Sequence, residues 1–260
     1  MKLENLTWQE VDALDRETVV VVPFGAMEQH GPHLPLKTDA LIGAAICDRL
    51  DQACSRELLI APQQWLGLSA HHMKFPGTIT ASPETFLALA TETISSLATA
   101  GFTNILVLNS HGGNASALDV ILGKCKSLYP SHRFVAVTYW NAASAGLAAV
   151  RQSKQGGMGH ACEMETSLVL AIEPSVVHMD NALPDGKWPA SVFFAKDMLR
   201  GGSASYALRF DEISKNGVVG DPTLATAEKG EAFFAAIVSA LVPLIRQLQD
   251  GSIDTFLPVS

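Results

Sequence analysis

The sequence is poor in positive charge, in paired cysteines and in long apolar runs, and each shortage excludes a class of protein. Its 18 Lys and Arg residues stand against 26 Asp and Glu residues, a formal net charge of −8. Such a chain has no basic stripe to neutralise phosphates, so we expect no nucleic-acid partner. The apolar runs are strand-sized, as in residues 19–22, which predicts no membrane partner.

The four cysteines are scattered without a CxxC pair, and residues 1–5 carry an early acid and no apolar run. These features predict a cytoplasmic protein with free thiols and without a secretory signal. A Gly-rich phosphate loop and a GxSxG nucleophile elbow are also missing from the sequence, which argues against two common kinds of catalytic site.

What the chain does have is enough apolar side chain for a large core, because 48% of its residues are hydrophobic and only 17% are charged. Apolar strand patterns alternate with helical patterns, and the segment 178–216 between the last two helices has weak periodicity. The strands are predicted at 18–24, 58–61, 104–109 and 134–140, and the helices at 40–50, 83–100, 115–128, 163–172 and 225–248. This alternation predicts one three-layer α/β domain over residues 1–260, with a mostly parallel sheet flanked by helices. Segment 178–216 should form long loops or a small excursion over the active site.

Three polar clusters follow strands or precede a helix. The first has Glu28 and His30 with Asp39 further on, the second is centred on His111, and the third spans residues 159–167. Functional groups of parallel α/β folds gather at the carboxyl ends of the strands. We therefore expect the three clusters to form one site.

The residue types in these clusters suit metal ions, because histidine and carboxylate ligands without thiolate favour Zn, Mn or Fe. Glu28 and His30 lie two apart and project to the same side of an extended segment, so they could address two neighbouring ions. Asp39 could bridge them. Two divalent ions, zinc preferred, carry +4 against −3 from Glu28, Asp39 and Glu163, and one bound hydroxide would neutralise the site. That hydroxide could attack a carbonyl carbon, which predicts a hydrolase.

The motifs resemble those of the creatininase (creatinine amidohydrolase) family over most of the chain. The matching runs are residues 23–35 with Asp39, 75–79, 109–114, 160–167 and 220–223. The resemblance implies an α/β fold, a binuclear metal centre, hydrolysis of C–N bonds in small amides or peptide-like substrates, and often a hexamer. It assigns Glu28, Asp39 and His111 to one ion. It assigns His30, Asp39 and Glu163 to the other.

Two departures from the family pattern bear on the substrate. Creatinine-hydrolysing members have a Tyr-Glu pair where this chain has Gly112 and Gly113, and a tryptophan before the third motif that residues 155–159 lack. Both differences disfavour creatinine itself, and the resemblance fits hydrolysis of a formamide and trimming of a modified peptide equally well. We expect a small cyclic amide or a formamide as the substrate. Creatinine hydrolysis proper and peptide trimming stay open, as do a metallophosphatase and a binding protein with a structural metal.

Further residues have candidate roles with structural alternatives. His160 is a candidate proton shuttle, and the alternatives are a role in supporting a metal ligand or a structural role at the helix N-terminus. Glu165 should orient a ligand or His160, unless it replaces Glu163 as the ligand. We expect four residues to touch the substrate: His72, Trp140, Gly112 and Gly113. A core position is the alternative for His72 and for Trp140.

Overall fold

The computed structural model describes residues 1–55, 57–189, 191–194 and 197–255. Its central sheet has four parallel strands: β1 (Val19–Phe24), β2 (Leu59–Ile60), β3 (Asn104–Asn109) and β4 (Arg133–Thr138). Their order is β2-β1-β3-β4. Every residue of β1 and β3 is buried, as expected for apolar strands covered on both faces. The predicted parallel α/β sheet is confirmed.

Helices cover the two faces of the sheet. They are α1 (Trp8–Asp12), α2 (Thr38–Ala53), α3 (Pro83–Thr99), α4 (Ala115–Leu128), α5 (Tyr139–Ala142), α6 (Ser144–Val150), α7 (Glu163–Ile172), α8 (Phe210–Ile213) and α9 (Ala227–Gln249). Successive strand residues point to opposite faces. Val19 and Val21 therefore join the core under α2, α7 and α9, while Val20 and Val22 join the core under α3 and α4. The three layers are those expected from the sequence.

Helix α9 is long and apolar enough, by length and composition alone, to cross a membrane. Its apolar stripe, which includes Phe233, Ile237 and Leu241, is buried in the same core as α2 and α7. A stripe of this kind, with polar residues on the other side, is typical of a helix that packs on a protein core.

The site-bearing segments lie at the carboxyl ends of β1 and β3. A two-stranded antiparallel ribbon, β5 (Met158–His160) with β6 (Val219–Gly220), adds a third segment. Strand β4 ends at Thr138, so Trp140 belongs to α5 and not to the predicted strand. In the described parts of segment 178–216, helix α8 and a 3-10 turn (Met179–Asn181) are the regular helices, as the weak periodicity predicted.

Candidate metal centre

The three clusters meet in one buried group of ionisable side chains. Glu28 and His30 follow β1, Asp39 lies in the first turn of α2, and His111 follows β3. His160 ends β5, and Glu165 lies in the first turn of α7. All six are at most 6% exposed. Charged groups are buried this completely only when they are paired or bind an ion.

His111 is held so that one ring nitrogen faces two carboxylates. Its Nε2 lies 2.9 Å from the backbone oxygen of Leu68, which can only accept, so Nε2 carries the proton. Its Nδ1 then presents a lone pair 3.3 Å from Glu28 Oε1 and 3.0 Å from Asp39 Oδ2. An imidazole fixed by a backbone carbonyl on its outer nitrogen is the usual arrangement of a metal-binding histidine.

His30 repeats this arrangement on the other side of Asp39. Its Nδ1 lies 3.2 Å from the backbone oxygen of Glu28. Its Nε2 lies 3.1 Å from Asp39 Oδ1 and 4.0 Å from Glu165 Oε1. The two oxygens of Asp39 thus face different histidines, which is the position of a carboxylate that could bridge two ions.

The group needs positive charge between its members. Glu28 Oε2 is buried without a hydrogen-bond partner among the described residues, and Asp39 Oδ2 also lacks one unless His111 Nδ1, 3.0 Å away, carries a proton. Burial lowers the pKa of His30, but Asp39 beside it outweighs burial and raises that pKa to about 9. Burial likewise lowers the pKa of His111, and Glu28 and Asp39 raise it well above its usual range. Protons or metal ions can supply the charge, and the inward lone pairs fit metal ions.

Glu163 does not join this group, contrary to the expectation that it would be the last ligand. Its Oε1 lies 2.7 Å from Lys229 Nζ, and its carboxylate accepts hydrogen bonds from the backbone N–H groups of Gln152 and Ser153. Glu165 is the carboxylate of α7 that approaches His30. Burial raises the pKa of Glu165 to about 7, and Asp39 raises it while His30 opposes the shift.

His160 presents a nitrogen to the same group. Its Nε2 lies 2.7 Å from the backbone oxygen of Gln29, so that nitrogen is the donor. Its Nδ1 lies 3.9 Å from Glu28 Oε1 and can accept a proton. Burial and the neighbouring His30 hold the pKa of His160 well below its usual range, which keeps the ring neutral.

A cavity of about 400 Å³ opens onto the group. The four residues predicted to touch substrate all line it: His72, Trp140, Gly112 and Gly113. His72 stacks on Phe210 with ring centroids 3.9 Å apart, and its Nε2 lies 3.2 Å from Glu28 Oε1. His72 therefore lies beside a carboxylate of the candidate site, and its side-chain contacts are not limited to backbone groups.

Segment 178–216 supplies one wall of the cavity, as the sequence predicted. That wall is largely apolar and includes Trp188, Met198, Tyr206, Leu208 and Phe210. Among the described residues, no lysine or arginine lines the cavity. Sequence reasoning did not identify Phe210 or the half-buried His71, which also lines it. The pairing of His71 with His72 was a usable signal, whereas nothing in the pattern around Phe210 points to the site.

Gly113 is a glycine because a side chain there has no room. A Cβ atom at 113 would lie 2.1 Å from the backbone oxygen of Leu68 and 2.5 Å from His111 Nε2. We therefore expect Gly113→Ala to displace the carbonyl that orients His111 and to lower metal affinity about 10- to 100-fold. Competition with a chelator measures this. The matched control is Gly112→Ala, whose Cβ would meet nothing closer than 3.9 Å. Equal affinities of the two variants would contradict the expectation.

The sequence model of the creatininase (creatinine amidohydrolase) family matches residues 4–245. A mycofactocin precursor peptide peptidase from Mycobacterium tuberculosis is 33% identical over 231 residues, 86% of this chain and 82% of that protein. A creatinine amidohydrolase from Pseudomonas putida is 25% identical over 261 residues, 94% of this chain and 95% of that protein.

Solved structures that resemble this chain point to the same family. A proposed creatinine amidohydrolase from Bacteroides fragilis has a TM-score of 0.81 at 25% identity and covers 100% of this chain and 98% of its own. A structure described as creatininase with Mn has a TM-score of 0.75 at 25% identity over 95% of this chain and 97% of its own. The chain therefore belongs to the creatininase family of hydrolases, as its motifs predicted.

Proposed function

We propose that this chain is an amidohydrolase with two divalent ions that cleaves a C–N bond of a small cyclic amide or a formamide. One observation carries the proposal. His30 and His111 each donate outward to a backbone carbonyl and turn the other nitrogen toward Asp39 and a second carboxylate. Glu28, Asp39 and His111 would hold one ion. His30, Asp39 and Glu165 would hold the other, with Glu165 in place of Glu163.

Two divalent ions bound in such a site would lower the pKa of water and polarise a carbonyl group. The side chains do the rest. Asp39 shares its two oxygens between the two halves of the site. His160 Nδ1 is free to accept a proton from the attacking water and to return it to the leaving nitrogen. The apolar wall around Phe210 keeps bulk water from the reacting carbonyl.

The cavity supports a small and uncharged substrate. Its volume of about 400 Å³ is at the lower end of the range for small-molecule sites. The described lining has no lysine or arginine to pair with a substrate carboxylate. Trp140 and Phe210 offer aromatic faces to a planar ring.

Peptide trimming is the second candidate, and one finding favours it. The relative with 33% identity over most of both chains is a peptide peptidase. Creatinine also gains some support, because Trp188 supplies a tryptophan where residues 155–159 have none. A side chain at Gly159 would meet Trp188 Nε1 at 2.9 Å.

The test is a substrate panel on metal-loaded protein, with cyclic amides, formamides, creatinine, short peptides and phosphate esters. We expect metal-dependent turnover of a cyclic amide or formamide, lost after chelation and in His160→Gln. Turnover of peptides alone would favour the second candidate. Turnover of phosphate esters alone, or of nothing, would reject an amidohydrolase in favour of a metallophosphatase or a binding protein.

Metal uptake by the metal-free chain should strengthen as pH rises. The ion between His30 and Glu165 must displace the proton of Glu165, whose pKa is about 7, and that of His30, whose pKa is about 9. The other ion must displace the proton of His111, whose pKa is raised well above its usual range. One proton released per ion raises affinity about tenfold per pH unit. We therefore expect this slope between pH 7 and 9, and a steeper one below pH 7. Calorimetric titration in buffers of different ionisation enthalpy counts the protons. An affinity independent of pH would contradict the proposed ligands.

Four properties stay predictions. They are zinc as the preferred ion, assembly into a homo-oligomer such as a hexamer, a cytoplasmic location and a single catalytic domain over residues 1–260. Metal analysis of the purified protein and light scattering would test the first two.

A further inference from the structure

The side chain of Gln29 lies between His72 and His160, and its orientation is fixed by its other contacts. Its Oε1 accepts a hydrogen bond of 2.9 Å from the backbone N–H of Gly31. Its Nε2 donates to the backbone oxygen of Gly217 at 3.0 Å. A carbonyl and an N–H group leave the amide no alternative flip, because each fixes one end of it.

The orientation of Gln29 determines which nitrogen of His72 carries the proton. The second hydrogen on Gln29 Nε2 points to His72 Nδ1, which is 2.8 Å away. His72 Nδ1 must therefore accept, and the neutral ring carries its proton on Nε2. That N–H faces Glu28 Oε1 at 3.2 Å.

The backbone carbonyl of Gln29 determines which nitrogen of His160 carries the proton. Its carbonyl oxygen can only accept, and it lies 2.7 Å from His160 Nε2. His160 therefore carries its proton on Nε2 and keeps Nδ1 free toward Glu28. Both hydrogens of Gln29 Nε2 are used elsewhere, so its approach to His160 Nε2 at 3.1 Å is a contact between two donors.

We propose that Gln29 is a positioning residue that fixes opposite roles on two neighbouring imidazoles. His72 presents an N–H donor to the site, and His160 presents a proton-accepting lone pair. The use of that lone pair in catalysis rests on the proposed function, whereas the two tautomers do not. Donor and acceptor then stand side by side over Glu28, with ring centroids of His72 and His160 4.6 Å apart.

The variant that tests this is Gln29→Glu, which keeps the shape but puts an acceptor in place of the amide donor. His72 should then move its proton to Nδ1 and lose its N–H toward Glu28. The control is Gln64→Glu, because the Gln64 amide also donates to a backbone carbonyl, that of Pro62, but Gln64 is not part of the cavity lining.

The readout is the ¹⁵N spectrum of histidine-labelled, zinc-loaded protein, with resonances assigned through His72→Gln and His160→Gln. In the parent protein we expect both rings to carry the proton on Nε2. In Gln29→Glu we expect His72 to carry it on Nδ1, metal content to be unchanged, and kcat to fall about 10- to 100-fold, the usual loss for such supporting residues. A parent His72 already protonated on Nδ1, or an unchanged His72 in Gln29→Glu, overturns the inference. Expected tautomers with no turnover of any substrate would reject the proposed function alone.

Discussion

Glu165→Gln should reduce bound metal from about two ions per chain to about one and reduce hydrolysis at least about 1,000-fold, equivalent to about 4 kcal/mol of activation free energy. The reason is the position of its carboxylate. Glu165 Oε1 faces His30 Nε2 at 4.0 Å, and an amide nitrogen in its place offers no lone pair to an ion. Inductively coupled plasma mass spectrometry of the metal-loaded protein counts the ions.

Glu163→Gln is the matched control, because it makes the same change two residues away in the same helix. It should keep both ions and lose stability instead. Lys229, with its side chain 12% exposed, would be left without its counter-charge, and breaking a buried pair typically costs about 3–5 kcal/mol. Urea unfolding measures the loss. If Glu163→Gln loses an ion and Glu165→Gln does not, Glu163 is the metal ligand.

The stability effect of Glu163 should also depend on pH. Burial alone would raise its pKa, but Lys229 and the backbone N–H groups of Gln152 and Ser153 outweigh burial and lower it. A lowered pKa in the folded state means that the carboxylate stabilises the fold above the pKa of the unfolded chain. That contribution is lost as pH falls through the folded pKa. The stability difference between the parent chain and Glu163→Gln should therefore shrink on acidification.

The second large effect is expected for Asp39→Asn, which should remove both ions and abolish measurable hydrolysis. Asp39 Oδ1 faces His30 and Asp39 Oδ2 faces His111, so one substitution alters both halves of the site. Asparagine keeps the shape but loses the charge and one lone-pair donor. We expect a loss of at least about 10,000-fold in kcat/KM, or about 5.4 kcal/mol.

The control for Asp39→Asn lies on the same helix. Asp48 is a half-exposed residue of α2 that pairs with Lys2 at the surface, and Asp48→Asn should change neither metal content nor turnover. Circular dichroism should show both variants folded. Retention of both ions by Asp39→Asn would exclude this carboxylate as the bridge.

Much of the fold could be predicted, because local patterns and the final packing agree. Residues 104–109, 115–128 and 163–172 have the predicted bounds. The start of α3 follows from Ser82, whose side chain accepts from the Thr85 N–H, and from the proline after it. The convergence of Glu28, Asp39 and His111 follows from the rule that parallel strands bring their carboxyl ends to one edge.

The choice between Glu163 and Glu165 could not be predicted in the same way. Two residues correspond to a rotation of about 200° around a helix, so their side chains point in nearly opposite directions and only one of them can face the site. Which one does depends on Lys229, 66 residues further along the chain. A tertiary partner at that separation leaves no trace in local periodicity. Trp188 and Phe210 could not be predicted for a related reason, since the sequence of an irregular segment does not indicate which side chains point inward.

The proposed metal centre holds two ions that share Asp39, and Glu165 is a ligand of the second ion. Anomalous diffraction from crystals of the zinc-loaded protein tests it most directly. We expect two peaks about 3.5–4 Å apart, one among Glu28, Asp39 and His111 and one among His30, Asp39 and Glu165. A single peak, or a second peak bound by Glu163, would contradict it.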